Sequence, residues 1–366
     1  MRTVRLGDVA AIHGGGRLGF TGNDFISDGV PAYGAGGLNG YLPVAEHQRP
    51  GIVLSSVGAR CGKCFLVEGA WASLANTQVI LPDLDEIDPG FLWYQLNDEG
   101  RWPRSGTGQP FIKPSDVKAH RITLPSLSEQ RRIAAILDQA DALRTTRRQV
   151  LAHLDTLTQS VFQAMFGEMR ATEPVAVIAS NLRTGPFGSQ LLHSEFVREG
   201  VAVLGLDNVV GNEFRWAERR YISEAKYQQL RRYTVAPGDV LISIMGTTGR
   251  CVVVPEGIPT AINTKHICAI TPDPDLVDSQ FLRGAFLWHP ESRRHLRQQT
   301  KGSIMDGLNM GIIKAMPVPV PPLPLQREFA GKVAAINERR AAVERALALD
   351  EELFASLQSR AFRGDL

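Results

Sequence analysis

The sequence feature that most constrains the fold is a long segment, Leu124 to Glu168, with no proline after Pro125 and no glycine before Gly167. Apolar or small residues recur in it at alternating steps of three and four, the spacing that keeps one seam facing a partner helix. Roughly 40 helical residues would span about 60 Å, which exceeds the width of a small domain. The segment therefore predicts a coiled-coil rod in the middle of the chain.

The predicted seam consists of the inward-facing positions of this helix and of a second long helix near the C-terminus. Its members are Ile133, Ile136, Leu143, Val150, Leu154, Leu157 and Val161 in the first helix, and Val333, Ile336, Val343, Leu347, Phe354 and Leu357 in the second. Arg147 interrupts the first series, so we expect looser pairing there or contact with a partner protein. The helices are expected to pair antiparallel with each other, or each with a helix of another protein.

The long segment belongs to a repeat that covers most of the chain. The residues that open and close the first helix recur at one constant offset, and the globular parts recur at a slightly smaller one, as loop insertions would produce. The matched pairs include Leu127 and Leu323, Gln130 and Gln326, Phe166 and Phe362, Gly51 and Gly238, and Asn76 and Asn263. The sequence therefore predicts a tandem duplication of a globule followed by a helix.

The duplication predicts four segments: globular domains at residues 1–123 and 171–319, and long helices at residues 124–170 and 320–366. Short apolar runs separated by glycine turns predict an α/β fold for both globular domains. We expect these domains at opposite ends of the antiparallel helix pair, related by an approximate twofold axis. Pro324 and Leu325 replace Ser128 and Glu129 of the first copy, which favours a later start for the second helix.

Composition excludes some classes of protein and leaves others open. The net charge of +2 and pI near 8.4 permit a polyanionic partner without requiring one. With no long apolar run and no signal-peptide pattern, we expect a cytoplasmic protein without a membrane partner. The sequence has 4 cysteines, but Cys61-Gly-Lys-Cys64 is not matched by a second C-x-x-C pair, so reduced thiols and no metal site are expected.

Catalytic motifs are missing from the sequence. Residues 58–63 look like a phosphate-binding loop, but one residue is missing between the glycines, and Cys64 replaces the hydroxyl residue that would meet Mg²⁺. There is no nucleophile elbow, no zinc-protease motif and no dinucleotide fingerprint, and the histidines lack ligand spacing in the sequence. The chain is therefore predicted to be a binder with no catalytic residue and no cofactor of its own.

A twofold-related pair of globular domains matches a DNA duplex, whose half-sites repeat along one axis. Basic side chains suit phosphate contacts, and glycine-rich polar loops suit entry into the major groove. The candidate DNA-binding residues are Arg17, Arg60, Lys63, Gly106, Thr107, Gln109 and Lys113 in the first domain, and Arg183, Arg250, Lys265, Lys301 and Ser303 in the second. For any single one of these residues, an ordinary solvated turn is the favoured interpretation.

At this point the sequence resembles a known family, the DNA specificity subunits of type I restriction–modification systems. The resemblance rests on motifs that occur in the same order in both halves. They are Val4–Ala10, the loop Gly106-Thr-Gly-Gln109, Leu124-Pro125 with Glu129-Gln130-Arg131, Leu323-Pro324 with Gln326-Arg327, and the terminal Ala361-Phe-Arg-Gly-Asp-Leu366. Each motif is weak alone, and the repeated order makes them specific.

The resemblance implies two target-recognition domains that each read one half of a split double-stranded DNA site. It also implies that the long helices act as a ruler and as a docking surface for two methyltransferase subunits, with translocating endonuclease subunits joining the larger complex. S-adenosylmethionine, ATP and Mg²⁺ would then be bound only by those partners. From the residues alone, two alternatives stay open: a coiled-coil adaptor that does not bind DNA, and an enzyme with an unusual site.

Overall fold

The computed structural model describes residues 2–216, 219–300 and 307–366. The chain forms two compact units. Unit 1 combines Met1–Arg148 with Arg345–Leu366, and unit 2 is Gln149–Glu344. Each unit therefore contains one globular domain together with a segment of each long helix.

The globular domain of unit 1 is built from short strands and helices. Its strands are β1 (Arg2–Arg5), β2 (Ala10–Gly14), β3 (Val30–Gly34), β4 (Gly37–Leu42), β5 (Gly51–Ser55), β6 (Cys64–Val67), β7 (Ala72–Ser73), β8 (Thr77–Pro82) and β9 (Arg121–Leu124). Its helices are α1 (Leu6–Val9), α2 (Pro89–Leu96) and α3 (Pro114–Ala119), with 3₁₀ turns at Gly22–Asp24 and Glu99–Arg101.

A four-stranded antiparallel sheet of order β2-β8-β5-β6 lies at the centre of this domain. All five residues of β5 are buried, because the sheet is covered on both faces. Ile52 and Leu54 belong to one apolar cluster, and Val53 between them belongs to another, as strand alternation requires. A smaller sheet of order β4-β3-β7 forms a hairpin lobe, defined here as residues 30–42 with β7.

Unit 2 repeats this design with more elements. Its strands are β10 (Glu173–Pro174), β11 (Ala179–Thr184), β12 (Phe196–Val197), β13 (Val201–Leu204), β14 (Tyr221–Ile222), β15 (Thr234–Val235), β16 (Val240–Ser243), β17 (Cys251–Val253), β18 (Ala261–Asn263), β19 (Ile267–Pro272) and β20 (Pro317–Val318). Its helices are α5 (Val175–Ile178), α6 (Glu224–Leu230), α7 (Ser279–Trp288), α8 (Pro290–Thr300) and α9 (Met310–Ala315), with 3₁₀ turns at Gly188–Gln190, His193–Glu195, Leu206–Asn208 and Arg231–Tyr233.

The central sheet of unit 2 has the order β11-β19-β16-β17, which matches the central sheet of unit 1 strand for strand. Val240 and Ile242 face one apolar cluster and Leu241 faces another, the alternation also found in β5. The second sheet differs between the units, since it has five strands in unit 2, in the order β12-β14-β13-β18-β15. The two domains are thus alike in their cores and differ in the smaller lobe.

The two long helices are α4 (Leu127–Phe166) and α10 (Leu323–Arg363). The first starts later than the sequence suggested, because Leu124 is the last residue of β9. The expectation of a late start for the second helix was wrong. Pro324 is tolerated in the first turn, where a backbone N–H has no partner within the helix.

A fully buried glutamine fastens the start of the first long helix to the globular domain of unit 1. The Asp88 N–H donates to Oε1 of Gln130 at 2.9 Å. Nε2 of Gln130 donates to the carbonyl oxygens of Glu86 at 2.9 Å and Pro125 at 3.1 Å. Three buried backbone groups therefore depend on this one side chain.

Gln326 makes the same three contacts in unit 2 and is also fully buried. Its Oε1 accepts from the Asp278 N–H at 2.8 Å. Its Nε2 donates to the carbonyl oxygens of Leu276 at 3.0 Å and Pro321 at 2.7 Å. We call Gln130 and Gln326 the helix-start glutamines; they explain physically why this part of the sequence repeats.

The helix segments run antiparallel within each unit. In unit 1, Arg144 Nη1 donates to Glu351 Oε2 at 2.9 Å, and Ile133 shares an apolar cluster with Ala361. In unit 2, the rings of Phe162 and Phe329 lie 5.5 Å apart between centroids. The predicted fold class, α/β domains with two long antiparallel helices, is confirmed.

The seam prediction was wrong at Leu143 and Leu157, whose exposed fractions are 50% and 42%. One residue turns a helix by about 100°. Leu143 faces outward because its neighbour Arg144 faces inward, with its guanidinium 3.4 Å from the ring centroid of Phe354. Leu137 and Phe162 lie outside the predicted seam but are fully buried.

The other predicted seam residues are buried or half-buried: Ile133, Ile136, Val150, Leu154, Val161, Val333, Ile336, Val343, Leu347, Phe354 and Leu357. Arg147 is part of a polar contact between the helices, since its Nε donates to Asp350 Oδ2 at 2.8 Å. Within the described ranges, no helix is long and apolar enough to cross a membrane.

Candidate nucleic-acid interface

The predicted DNA-binding loop of unit 1 is held in place by its own backbone. Ser105 and Phe111 exchange two hydrogen bonds, with N–O distances of 2.8 and 2.9 Å. The Gly58 N–H donates to the Pro110 carbonyl at 2.9 Å and joins the loop to the turn between β5 and β6. The loop is therefore fixed at both ends while its tip faces solvent.

Gly106, Thr107 and Gln109, all predicted from the sequence, form this exposed tip. Gly106 has φ of 95°, and a Cβ at this position would lie 2.6 Å from the Gln109 carbonyl oxygen. Only glycine fits this position without strain. The hydroxyl of Thr107 and the amide of Gln109 are the kinds of group that read base edges.

Two predicted basic residues lie in the adjoining turn. Arg60 is exposed, and its Nη1 donates to the Gly36 carbonyl of the hairpin lobe at 2.9 Å. Lys63 is half-buried, with its ammonium 5.8 Å from the centroid of Phe65. Gly58 of the same turn bonds to the loop, so the backbone joins the loop to the turn that carries Arg60.

The remaining candidates of unit 1 lie elsewhere on the surface. Lys113 is exposed immediately before α3, and Arg17 is exposed in the turn that follows β2. Arg17 is close enough to His47 to lower the pKa of that imidazole. Neither residue has a hydrogen bond to the loop among the described residues.

In unit 2, the prediction that Arg183 contacts DNA was wrong. Its side chain is only 10% exposed and pairs with the fully buried carboxylate of Asp239. The same guanidinium donates to the Thr234 carbonyl at 2.9 Å and to Thr271 Oγ1 at 2.8 Å. Because its donors are used inside the domain, Arg183 stabilises the core and is not available to a phosphate.

Arg250 is exposed beside two arginines of α8. Burial and the charges of Arg297 and Arg250 lower the pKa of Arg293, so the three guanidiniums are close to one another. Among the ion pairs in the described part of the chain, none involves Arg250 or Arg293. The positive charges of these two residues are suited to contact with a phosphate group.

The predicted residue Lys265 lines a second basic feature of unit 2, a cleft with a volume of ≈ 920 Å³. The cleft is also lined by Arg198, Arg219, Arg220 and His266. Arg220 pairs with Asp207, whereas burial and the charge of Lys265 lower the pKa of His266. The sequence signal for this cleft was the Arg219-Arg220 pair.

The last two candidates, Lys301 and Ser303, lie outside the described residues. The cysteines, by contrast, are all described, and all are buried free thiols. Burial raises the pKa of Cys64 and raises that of Cys251 and of Cys268 to about 12. These thiols are therefore protonated at neutral pH and poorly suited to redox or metal chemistry.

Sequence spacing did not reveal one polar cluster. His13, from β2, lies beside Glu46 and His47, which precede β5, and the candidate ligand atoms all lie within 4.8 Å of one another. Burial is the largest influence on His47 and lowers its pKa, although the charge of Glu46 opposes this. Only folding brings these positions together, so no spacing rule applied to the sequence could have found them.

Comparison with known proteins finds similarity to one family. Residues 1–154 match the family model described as the type I restriction modification DNA specificity domain. This match covers the first globular domain and part of the first long helix. The resemblance seen in the repeated motifs is therefore confirmed.

The similarity to curated proteins extends beyond the first domain. The specificity subunit of the type I restriction enzyme MjaVIII from Methanocaldococcus jannaschii is 22% identical over 343 residues, which cover 87% of this chain and 79% of that protein. The EcoBI specificity subunit from Escherichia coli is 27% identical over 174 residues, which cover 46% of this chain and 36% of that protein.

Two solved structures share the fold of this chain. The S subunit of a type I restriction–modification system from M. genitalium aligns with a TM-score of 0.65 at 16% identity, covering 99% of this chain and 96% of that one. A chain from a study of complex assembly and conformational transition of the type I R-M system aligns with a TM-score of 0.58 at 18% identity, covering 100% and 98%.

The matched model is described as a DNA specificity domain, and the similar curated proteins are named as specificity subunits of type I restriction enzymes.

Proposed function

We propose that the chain recognises a bipartite DNA site, with each globular domain reading one half. The observation that carries this proposal is that the helix-start glutamines fasten two similar domains in the same way, whereas the exposed loops differ. Unit 1 presents Gly106, Thr107 and Gln109 beside Arg60, and unit 2 presents Arg250 and Arg293. A common scaffold with unlike loops is suited to two different half-sites.

We also propose that the long helices bind methyltransferase subunits, two per chain, with endonuclease subunits joining the complex. The support comes from leucines that the helix pairing leaves uncovered. On the helix segments of unit 1, Leu143, Leu349 and Leu353 are exposed by 50%, 65% and 48%. Apolar side chains of this size on a helix surface are typical of a protein interface.

Catalysis would then depend on cofactors held by the partners. S-adenosylmethionine, ATP and Mg²⁺ would bind to the methyltransferase and endonuclease subunits. This chain would select the DNA site at which they act. Its basic loops would contribute affinity through phosphate contacts, which weaken steeply as salt is added.

The experiment maps methylated bases in DNA from cells that contain this chain and its methyltransferase subunits. The wild type should give a motif of two specified blocks separated by an unspecified spacer. Gln109→Ala should relax the specificity of one block by removing an amide from the unit 1 loop, without affecting the other block. Arg250→Gln should lower methylation at all sites about evenly, since a phosphate contact carries no base information.

Gln139→Ala is the matched control, because Gln139 is exposed on the first long helix, away from the loops. It should leave the motif unchanged. A single continuous motif in the wild type, or relaxation of both blocks by Gln109→Ala, would contradict the assignment of one domain to each half-site.

A further inference from the structure

The cluster of His13, Glu46 and His47 in unit 1 has the composition of a metal site. We propose that these three residues bind one divalent ion of the late transition metals, such as Zn²⁺, with a water molecule as fourth ligand. Two imidazoles and one carboxylate are a common set of three protein ligands for this ion. Their candidate ligand atoms all lie within 4.8 Å of one another.

The separation of two ligand atoms supports a shared ion over a direct hydrogen bond. His47 Nε2 lies 3.5 Å from Glu46 Oε1, and the contact does not meet the geometry of a hydrogen bond. In a tetrahedral zinc site with bonds of about 2.1 Å, neighbouring ligand atoms are about 3.4 Å apart. The two atoms are therefore spaced as ligands of one ion would be.

The same two atoms lack any other partner. Glu46 Oε1 and His47 Nε2 are both buried and have no hydrogen bond within the described part of the chain. Their side chains are exposed by only 7% and 11%. A buried, unsatisfied carboxylate oxygen and imidazole nitrogen are costly, and an ion between them would satisfy both.

The surrounding groups orient the proposed ligands. Glu46 Oε2 accepts from Ser73 Oγ at 2.6 Å and from the Ser73 N–H at 3.1 Å, which leaves Oε1 for the ion. His13 Nδ1 is 3.0 Å from the Gly14 carbonyl, an acceptor only, so Nδ1 carries the proton and Nε2 the lone pair. Metal-binding histidines and carboxylates are usually held in this way.

Charge at the site can be compared with unit 2. His13 pairs with Val79 in the central sheet, and Arg183 occupies the corresponding position opposite Ala269. In unit 2, the guanidinium of Arg183 neutralises a buried carboxylate. In unit 1, the described residues give the Glu46 carboxylate no arginine or lysine ion pair, and a bound cation would take that place.

Arg17 and Arg49 also face His47 closely enough to lower its pKa. Their positive charges reduce the affinity for a cation, so the ion should be removable by a chelator. A bound ion would join β2 of the central sheet to the segment that precedes β5. That segment also pairs with Trp71 through its backbone, so the ion would hold the hairpin lobe against the sheet.

The test is a titration of the purified full chain, stripped with a chelator, with ZnCl₂ in a competition assay against a chromogenic chelator. The wild type should bind about one Zn²⁺ per chain. His47→Gln and Glu46→Gln should each weaken binding by at least about 10-fold. His153→Gln is the control, because His153 is exposed on the first long helix and has no place in the cluster.

Circular dichroism verifies that each variant is folded, and MgCl₂ is titrated in parallel because Mg²⁺ prefers ligand sets made of oxygen. Zinc binding that His153→Gln leaves intact and the cluster variants lose would support the site. The proposal is overturned if the wild type does not bind Zn²⁺, if the folded cluster variants bind as the control does, or if Mg²⁺ binds as tightly. None of these readouts involves DNA, so the result is independent of the proposed recognition function.

Discussion

The two units differ in which element supplies the large side chain at the interface between the globular domain and the long helices. Tyr94 stands three positions after Phe91, and Gly284 stands three after the repeat partner Phe281. In unit 1, the Tyr94 hydroxyl donates to Asp138 Oδ1 at 2.7 Å, and its ring lies 5.9 Å from that of Phe354. The large side chain therefore comes from the globular domain.

Unit 2 fills the same interface from the other side. A Cβ at Gly284 would lie 2.5 Å from Cδ2 of Phe162, so the helix ring packs directly on the glycine. The repeat partner of Phe162 is Gln358, whose Nε2 donates to the Tyr94 carbonyl at 3.0 Å. Each globular domain is therefore fitted to its own helix segments, although the two domains share the same central sheet.

The largest effect should come from truncating the helix residue that fills the interface of unit 2. Phe162→Ala should destabilise unit 2 by about 3–5 kcal/mol, because the cavity lies between Phe166, Phe281 and Phe329. Gln358→Ala, the equivalent change in unit 1, should cost only about 1 kcal/mol. Hydrogen exchange of α7 and α2 would measure the two units separately, and equal losses of protection would contradict the comparison.

The shared part of the design can be tested with the helix-start glutamines. Gln130→Leu and Gln326→Leu should each cost about 1–3 kcal/mol, because three buried backbone groups lose their partner. Gln139→Leu, at an exposed position of the same helix, should change stability by less than about 0.5 kcal/mol. Urea unfolding measures all three, and a large cost for one glutamine with none for the other would show that the contact is not equivalent.

Substitution of two helical glycines by alanine should have smaller effects on stability, and the two effects should have opposite signs. Gly284→Ala should destabilise unit 2 by about 1–3 kcal/mol, since the new methyl overlaps the Phe162 ring. Gly331→Ala should stabilise by about 0.5–1 kcal/mol, because alanine favours the helix and nothing lies within 4 Å of its Cβ. Thermal unfolding of the two variants and the wild type measures both changes in stability. Effects of the same sign would refute the close packing on Gly284.

Much of the fold could be predicted because duplication and periodicity are properties of the sequence itself. Gln130 and Gln326 were recognised as repeated positions before their contacts were known. Their role was not predictable, since it depends on the backbone of Asp88 and Asp278, which are remote in sequence. The seam failed at Leu143 because periodicity cannot show that Arg144 turns inward to pack on an aromatic ring.

The candidate interface was less predictable than the fold. The loop containing Gln109 could be predicted because its glycines are a local sequence pattern, and the positive φ at position 106 requires a glycine there. Arg183 was misassigned because its partner Asp239 is distant in sequence, so the arginine looked available. The cluster containing His13 and His47 was missed for the same physical reason, since tertiary structure alone brings those residues together.

The smallest effect concerns the polar contact between the helix segments of unit 1. The side chains of Arg147 and Asp350 are exposed by 39% and 16%, so water screens their attraction. A double-mutant cycle with Arg147→Gln and Asp350→Asn should give a coupling energy of about 1 kcal/mol or less, which decreases as salt is added. Urea unfolding of the four proteins at low and high salt measures this coupling. A coupling that exceeds the loss caused by Gln130→Leu would mean that the helices are held together by charge, and not by the apolar and glutamine contacts that both units share.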